Sequence, residues 1–339
     1  MNFSIETTAE QVADTFASEI TGKNGLFGSF SVPALTIVVL VTGTSLNGIG
    51  FETVRVLAKH ANLVIITGYN KERLQLTEEA IKKELPSANI RQLRLDLSSL
   101  AAVRTAAAEV NAYPEPLHVL INNAVGTILP FAVSVDGFEK QMATGFIGPF
   151  LFTNLIAPKL LASRTSHSGY TPRVVFLSSC FHAVGSGVDF ETFGLPMPEK
   201  YKAVFEPYYE VKSAAILAAI ELGKRTEGRI VGYSVDPGVI STNINQKEEN
   251  RVYFQEAGIV DEHGKPNLEL GLFTWKTMGQ GAATTVRAAF DPSLLAQPGA
   301  YLADCQVANE QVAPHSSNPE NAKKLWDITE TLLGQEFRF

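Results

Sequence analysis

What most constrains this chain is a rhythm of short β-branched apolar runs alternating with stretches whose apolar residues recur every three or four positions. Thr36–Val41 and Leu63–Thr67 are two such runs, and between them Phe51, Val54, Leu57 and Ala61 repeat at helical spacing. Leu74, Glu78, Ile81 and Leu85 keep step along a further helix. A strand at Ile90–Leu95 and an alanine-rich helix at Leu100–Val110 follow. The pattern then predicts a strand Val119–Ile121, one long helix Phe138–Leu161, a strand Arg173–Ser178, a helix Tyr208–Lys224 and a strand Ile230–Val235. A helix near Gln280–Phe290, a short strand Ala300–Leu302 and a helix near Asn321–Leu333 complete the series. Strictly alternating order of this kind predicts an α/β, doubly wound Rossmann fold: a parallel sheet of about seven strands with helices on both faces.

The composition is that of a soluble globular chain. Its 45% hydrophobic and 19% charged residues can bury a core, and 339 residues suffice for one large domain. A net charge of −7 without a basic block argues against nucleic acid or an anionic membrane surface as partner. The longest apolar run, Val32–Val41, is too short to span a bilayer and lacks the flanks of a signal peptide. Two cysteines, Cys180 and Cys305, supply neither a disulfide framework nor a zinc pattern, so no metal is expected and a reducing, cytoplasmic setting fits best.

Residues 1–35 are expected to form an N-terminal extension, a helical segment followed by a possible insertion, and residues 36–339 the Rossmann domain itself. Two stretches interrupt the rhythm, at about 183–206 and 241–274. Both begin just past a strand's C-terminal end, where open α/β sheets bind ligands, and are expected to act as substrate loops.

Several motifs carry chemistry in this context. Thr42–Gly50 (TGTSLNGIG) joins the first strand to the first helix, and its glycines let backbone approach a pyrophosphate at a helix N-terminus. Asp96 ends the third strand, either as an acceptor for an adenine amine or as a helix cap. Asn122 and Asn123 end the fourth, where buried amides can equally tie turns together. Ser179 follows the fifth strand, with Ser178 as competitor, and a hydroxyl there can stabilise charge developing on a substrate oxygen. Cys180 beside it is expected to pack, and His182 to pack or to line the pocket wall. In YYEVK, Tyr208 and Lys212 share one helix face, and the ammonium favours a tyrosinate that can exchange a proton with a carbonyl or hydroxyl. Tyr201 and Tyr209 compete, but Tyr209 projects about 100° away on the helix. Pro237–Thr242 (PGVIST) turns the chain after the sixth strand.

The ordered set of glycine turn, DL, NNA, SS, YxxxK and PGxxxT resembles the short-chain dehydrogenase/reductase family over about residues 36 to 305. SSCFHAVG, the long gap before YYEVK, and VKSAAILAAIEL are similar to its retinol-dehydrogenase-like branch, and both ends of the chain look like fungal members. The resemblance implies Tyr208 as general acid/base, Lys212 as its electrostatic partner and ribose ligand, and Ser179 as binder of the reacting oxygen. It further implies Gly43, Ser45, Gly48, Ile49 and Gly50 around the phosphates, Asp96 at the adenine, Asn123 near the ribose and Thr242 at the carboxamide.

Four departures from the family pattern stand out. The glycine turn is one residue longer than TGxxxGIG; NNAV replaces NNAG; Gly145 stands where the family places a relay asparagine; and Tyr69 stands where NADP-using relatives often carry arginine. In addition, GLFGSFSVPALTI intervenes where similar proteins run almost directly from GK into the first strand, as an insertion or a gene-model artefact within residues 24–38. Thr67 and Gly68 offer no acid for a ribose 2′-hydroxyl, which favours NADP over NAD, with Lys71 and Arg73 as helpers for a 2′-phosphate.

The expected activity is carbonyl–alcohol interconversion on a lipophilic small molecule, with fungal secondary metabolism as the analogy and a homo-oligomer as a further expectation. The alternative is a non-catalytic dinucleotide sensor or scaffold on the same fold.

Overall fold

The computed structural model describes residues 2–22, 26–27, 30–31, 36–125, 130–166, 169–201, 204–242, 248–268 and 274–339. Most of the stretch 24–38 therefore lies outside the described residues. Within it two short strands, β1 (Leu26–Phe27) and β2 (Phe30–Ser31), pair antiparallel.

The main sheet follows from strands that are apolar on both faces. In β3 (Val38–Val41), Val38 and Leu40 enter one apolar cluster while Val39 and Val41 enter the other. β4 (Leu63–Gly68) divides likewise, Leu63 and Ile65 against Val64 and Ile66. Alternation of this sort buries both faces and requires helices above and below. With β5 (Ile90–Arg94), β6 (Val119–Asn122), β7 (Arg173–Leu177), β8 (Val231–Asp236), β11 (Tyr301–Ala303) and β12 (Gln306–Val307), the order across the sheet is β12-β11-β8-β7-β6-β3-β4-β5. Seven strands are parallel, and β12 adds an antiparallel edge too short for its two residues to signal in sequence. A separate parallel pair is formed by β9 (Val239–Ile240), just past the end of β8, with β10 (Trp275–Lys276). The order reverses at β3, between β4 and β6. A crevice opens there at the carboxyl ends.

The long helix expected over Phe138–Leu161 is broken. A turn at Lys140–Met142 leads into a π-helical segment Ala143–Ile147, then helices Gly148–Leu155 and Ala157–Ser166. Pro158 accounts for the break at Ile156, and Pro149 for the π-helical segment: lacking an N–H, Pro149 cannot donate to the carbonyl four residues earlier, at Gly145. The backbone widens instead, and the Gly148 amide reaches back five residues to the Ala143 carbonyl.

At the N-terminus, Thr8 and Gln11 form a reciprocal capping box that starts the helix Ala9–Thr15. Its Ala9, Val12 and Ala13, with Phe16 and Ile20, join the cluster beneath β3 and the helix Met278–Phe290. Glu10 anchors the helix through Arg55 at 2.9 Å and through Lys59.

Candidate active site

The glycine turn is shaped by close approaches that exclude side chains. Gly43 has φ +69°, and a Cβ on it would lie 2.8 Å from the Ala124 Cα. A Cβ on Gly50 would lie 2.4 Å from both the Asn123 Nδ2 and the Gly43 carbonyl oxygen. The extra residue of this turn is absorbed by Asn47, which takes the left-handed conformation at φ 58°. Gly48 then precedes the helix Ile49–Leu57, whose first turn opens into a cleft of about 750 Å³. Gly43, Ser45, Gly48 and Ile49 all line that cleft, whereas Gly50 stands behind it as spacing. A glycine turn leading into a helix N-terminus favours an anion at that point of the cleft.

Asn123 keeps the turn closed: its amide donates to the carbonyls of Thr42 at 2.8 Å and Gly43 at 2.9 Å. Asn122 is buried and donates to the Thr153 hydroxyl at 2.9 Å. Asp96 lines the cleft, with one carboxylate oxygen accepting from the Ser98 amide at 2.9 Å and hydroxyl at 2.6 Å. The helix that follows is capped by Ser99, not Asp96. At the end of β4, Tyr69, Asn70 and Arg73 line the cleft beside Thr67 and Gly68. Lys71 does not reach it.

At the other end of the cleft Ser179, Tyr208 and Lys212 converge, with Thr242 beyond the Pro-Gly turn. The Ser179 hydroxyl accepts from the Phe181 amide at 3.3 Å and lies near enough to Tyr208 to favour its ionised form. Ser178 is excluded from that role because its hydroxyl donates to the Lys212 carbonyl at 2.8 Å, inside the protein. Tyr201 donates to Glu210 at 2.9 Å, and Tyr209 stacks on Phe181 at 5.7 Å, so the helix Glu206–Arg225 turns only Tyr208 toward Ser179. The Lys212 ammonium donates to the Leu177 carbonyl at 2.8 Å and lies 5.2 Å from the Tyr208 ring centroid.

The expected lowering of the phenol's pKa is not what this geometry produces. Burial is the largest influence on Tyr208 and pushes it well above its ordinary value, while Ser179 pulls the other way. Burial also brings the Lys212 ammonium down to about 8, opposed by the charge of Asp236. Cys180, expected to pack, instead stands exposed on the cleft wall; partial desolvation and Asp236 push its pKa up to about 11, which keeps it a thiol. His182 bridges the Ser179 carbonyl at 2.7 Å and the Ala313 amide at 3.2 Å, the pattern of a neutral ring, and burial lowers its pKa.

The cleft's outer wall is aromatic. Phe181, Phe205, Phe254 and Trp275 line it, and Phe205 meets Phe254 edge-on at 5.8 Å. Phe273, also expected in a substrate loop, lies outside the described residues. The loop at 183–206 is fastened to the catalytic helix by a residue not singled out in the sequence. Glu210, buried, accepts from the Asp189 amide at 2.7 Å, from Tyr201 at 2.9 Å and from Lys200 at 3.2 Å. Gln141 adds a bond to the Val204 carbonyl at 2.9 Å. Gly145 does not line the cleft; a Cβ there would meet Val211 Cγ1 at 2.7 Å. Among the described residues no cluster of His, Cys, Asp or Glu could hold a metal ion. Nor, among them, is any single helix long and apolar enough to cross a membrane. One bent pair, Lys140–Leu155 with Ala157–Thr165, passes that test only together.

Comparison with known proteins agrees with this geometry. The family model "short chain dehydrogenase" matches residues 37–187. Short-chain dehydrogenase TIC 32 A, chloroplastic, of Brassica napus is 34% identical over 330 residues, covering 93% of this chain and 97% of the relative. Polyprenol dehydrogenase of Mus musculus is 33% identical, covering 89% and 86%. Retinol dehydrogenase 11 of Homo sapiens is 31% identical, covering 88% and 86%. Among solved structures, an uncharacterised protein from Mycobacterium paratuberculosis superposes with a TM-score of 0.64 at 23% identity, over 89% of this chain and 95% of that one. The chain belongs to the short-chain dehydrogenase/reductase family, in its retinol-dehydrogenase-like branch.

Proposed function

We propose that this short-chain dehydrogenase/reductase interconverts a carbonyl and an alcohol on a lipophilic small molecule, with NADP as preferred cofactor. The observation that carries the reading is the convergence of Ser179, Tyr208 and Lys212 beneath the aromatic wall of one cleft. The relatives named for polyprenol and retinol are in keeping with an apolar substrate. The preference for NADP rests on the lack of an acid at Thr67–Gly68 and on Arg73 at the cleft's edge. NAD remains the alternative for the same cleft.

When bound, the nicotinamide supplies or accepts the hydride. This chain's own residues do the rest. The Ser179 hydroxyl donates to the substrate oxygen and holds the carbonyl facing Tyr208. In reduction, the Tyr208 phenol delivers its proton to that oxygen as charge develops there; in oxidation, the tyrosinate takes the proton back. The Lys212 ammonium stabilises the tyrosinate, and its depressed pKa leaves it charged through neutral pH. Phe181, Phe205 and Phe254 exclude water and hold an apolar substituent.

A sensor or scaffold without turnover is the weaker reading, since Ser179, Tyr208 and Lys212 converge and Gly145 is taken up by packing. Free thiols at Cys180 and Cys305 suit a reducing compartment, the basis for proposing the cytoplasm. A homo-oligomer is proposed for sedimentation to test. Secondary metabolism has no residue of this cleft behind it. The deciding experiment is oxidation of NADPH and NADH with a panel of apolar and polar aldehydes and ketones. Turnover of apolar carbonyls with NADPH is expected; none with any member of the panel would refute the reading.

A further inference from the structure

Asp236 ends β8 with its side chain buried, between the two turns that meet at the catalytic end of the cleft. One carboxylate oxygen accepts from the Gly238 amide at 2.9 Å, which folds the Asp-Pro-Gly turn on itself. The other accepts from the Cys180 amide at 3.1 Å, which ties down the residue next to Ser179. One side chain thus sets both the serine turn and the turn leading to Thr242. The groups that face this carboxylate are Cys180 and His182 on the turn after β7, Tyr208 and Lys212 on the catalytic helix, and Tyr301 on β11. Behind them, His315 faces His182 and Asp304 faces Tyr301.

Resting on the proposed reaction, we propose that Asp236 is a positioning residue whose carboxylate seats the Ser179–Cys180 turn and the turn to Thr242, and whose negative charge acts on the proton-exchanging pair Tyr208 and Lys212. On Lys212 the effect opposes burial. Desolvation lowers the pKa of a lysine in this place, and the carboxylate at the end of β8 opposes that fall. The same charge resists ionisation of Tyr208, so the carboxylate moves both proton-exchanging groups in one direction.

The test is Asp236→Asn, which keeps an oxygen for the Gly238 amide and removes the charge. Two quantities are measured against pH: NADPH affinity by fluorescence, and the rate of alcohol oxidation. With the anion gone, both groups lose protons more readily. The alkaline fall in NADPH affinity and both limbs of the rate profile should then move to lower pH, by on the order of one pH unit. A turn that was only loosened would lower turnover at every pH and leave the limbs in place, and that result overturns the proposal. If Asp236→Asn does not fold, Asp236→Glu and Asp236→Gln differ from each other only in charge, and the same displacement is expected between them. The affinity measurement needs no turnover. An inactive wild type would sink the proposed reaction, while an NADPH profile that still moves would uphold the role of Asp236.

Discussion

Gly145 is where the structure makes a sharp quantitative claim. Replacing it with asparagine restores the residue type that the family places there for a water relay to the lysine. Yet a Cβ at this position would lie 2.7 Å from Val211 Cγ1 and 3.4 Å from Cγ2. Val211 is buried on the catalytic helix, one residue before Lys212, and a β-branched side chain held in a helix has little rotamer freedom to yield. Overpacking of this kind costs about 1–3 kcal/mol. Loss of glycine from a helical segment returns only a few tenths of a kcal/mol when asparagine replaces it.

The net expectation for Gly145→Asn is a loss of about 1–2.5 kcal/mol. Unfolding entropy for a chain of 339 residues is about 0.7 kcal/mol/K, so the melting temperature should fall by about 1–4 °C. Turnover per folded molecule should stay within a factor of about two. Calorimetry and initial rates on the single variant, on Val211→Ala and on the double variant complete the cycle. The double variant should recover at least about 1 kcal/mol relative to additivity, because Val211→Ala removes both methyls that stand in the way. Higher turnover at an unchanged melting temperature would refute the packing argument and restore the relay reading.

Tyr208→Phe should cut turnover by about 10²–10⁴-fold while NADPH affinity barely changes, since the ring keeps its contacts and only the proton donor is lost; wild-type rates would remove Tyr208 from the mechanism. Lys212→Met should weaken NADPH binding by about 10–150-fold, the loss of a charge-assisted hydrogen bond, and should slow oxidation most near neutral pH; unchanged affinity would contradict the ribose role. His182 sits neutral in the fold with its pKa lowered by burial, so the unfolded chain binds the extra proton first as pH falls below about 6.5. Its share of stability is therefore present above that pH and lost downward until the lowered folded value is reached. His182→Gln should flatten that part of the acid-side melting curve, and an unchanged slope would show that other groups set it.

Most of the frame was legible because it depends on local pattern. Strands such as β3 and β4 are apolar on both faces, which no polar substitution could disguise, and the alternation with helical periods forced a parallel order. Even the broken helix had its signals in Pro158, just past the break, and in Pro149, whose missing N–H must leave the Gly145 carbonyl without its usual partner. Asp236 was passed over in the sequence, although Asp-Pro-Gly is a run in which an aspartate caps its own turn. What no local pattern carries is burial. Tyr208 and Lys212 at helical spacing promised a phenol brought toward neutrality, but the depth of the site sets the larger effect and drives both groups toward their uncharged forms.

Glu210 shows why the remainder stayed hidden. Helical geometry alone says that it points away from the face of Tyr208 and Lys212. It cannot say what is met there, because the partners Asp189, Lys200 and Tyr201 arrive from an irregular loop with no period to extrapolate. Burial raises the pKa of this carboxyl and Lys200 opposes the shift, so the loop's lysine is part of what makes a buried carboxylate tolerable. The catalytic helix thus carries proton chemistry on one face and the fastening of a substrate loop on the other. A substitution that loosens the loop can therefore act through the backbone that positions Tyr208, without touching the cleft.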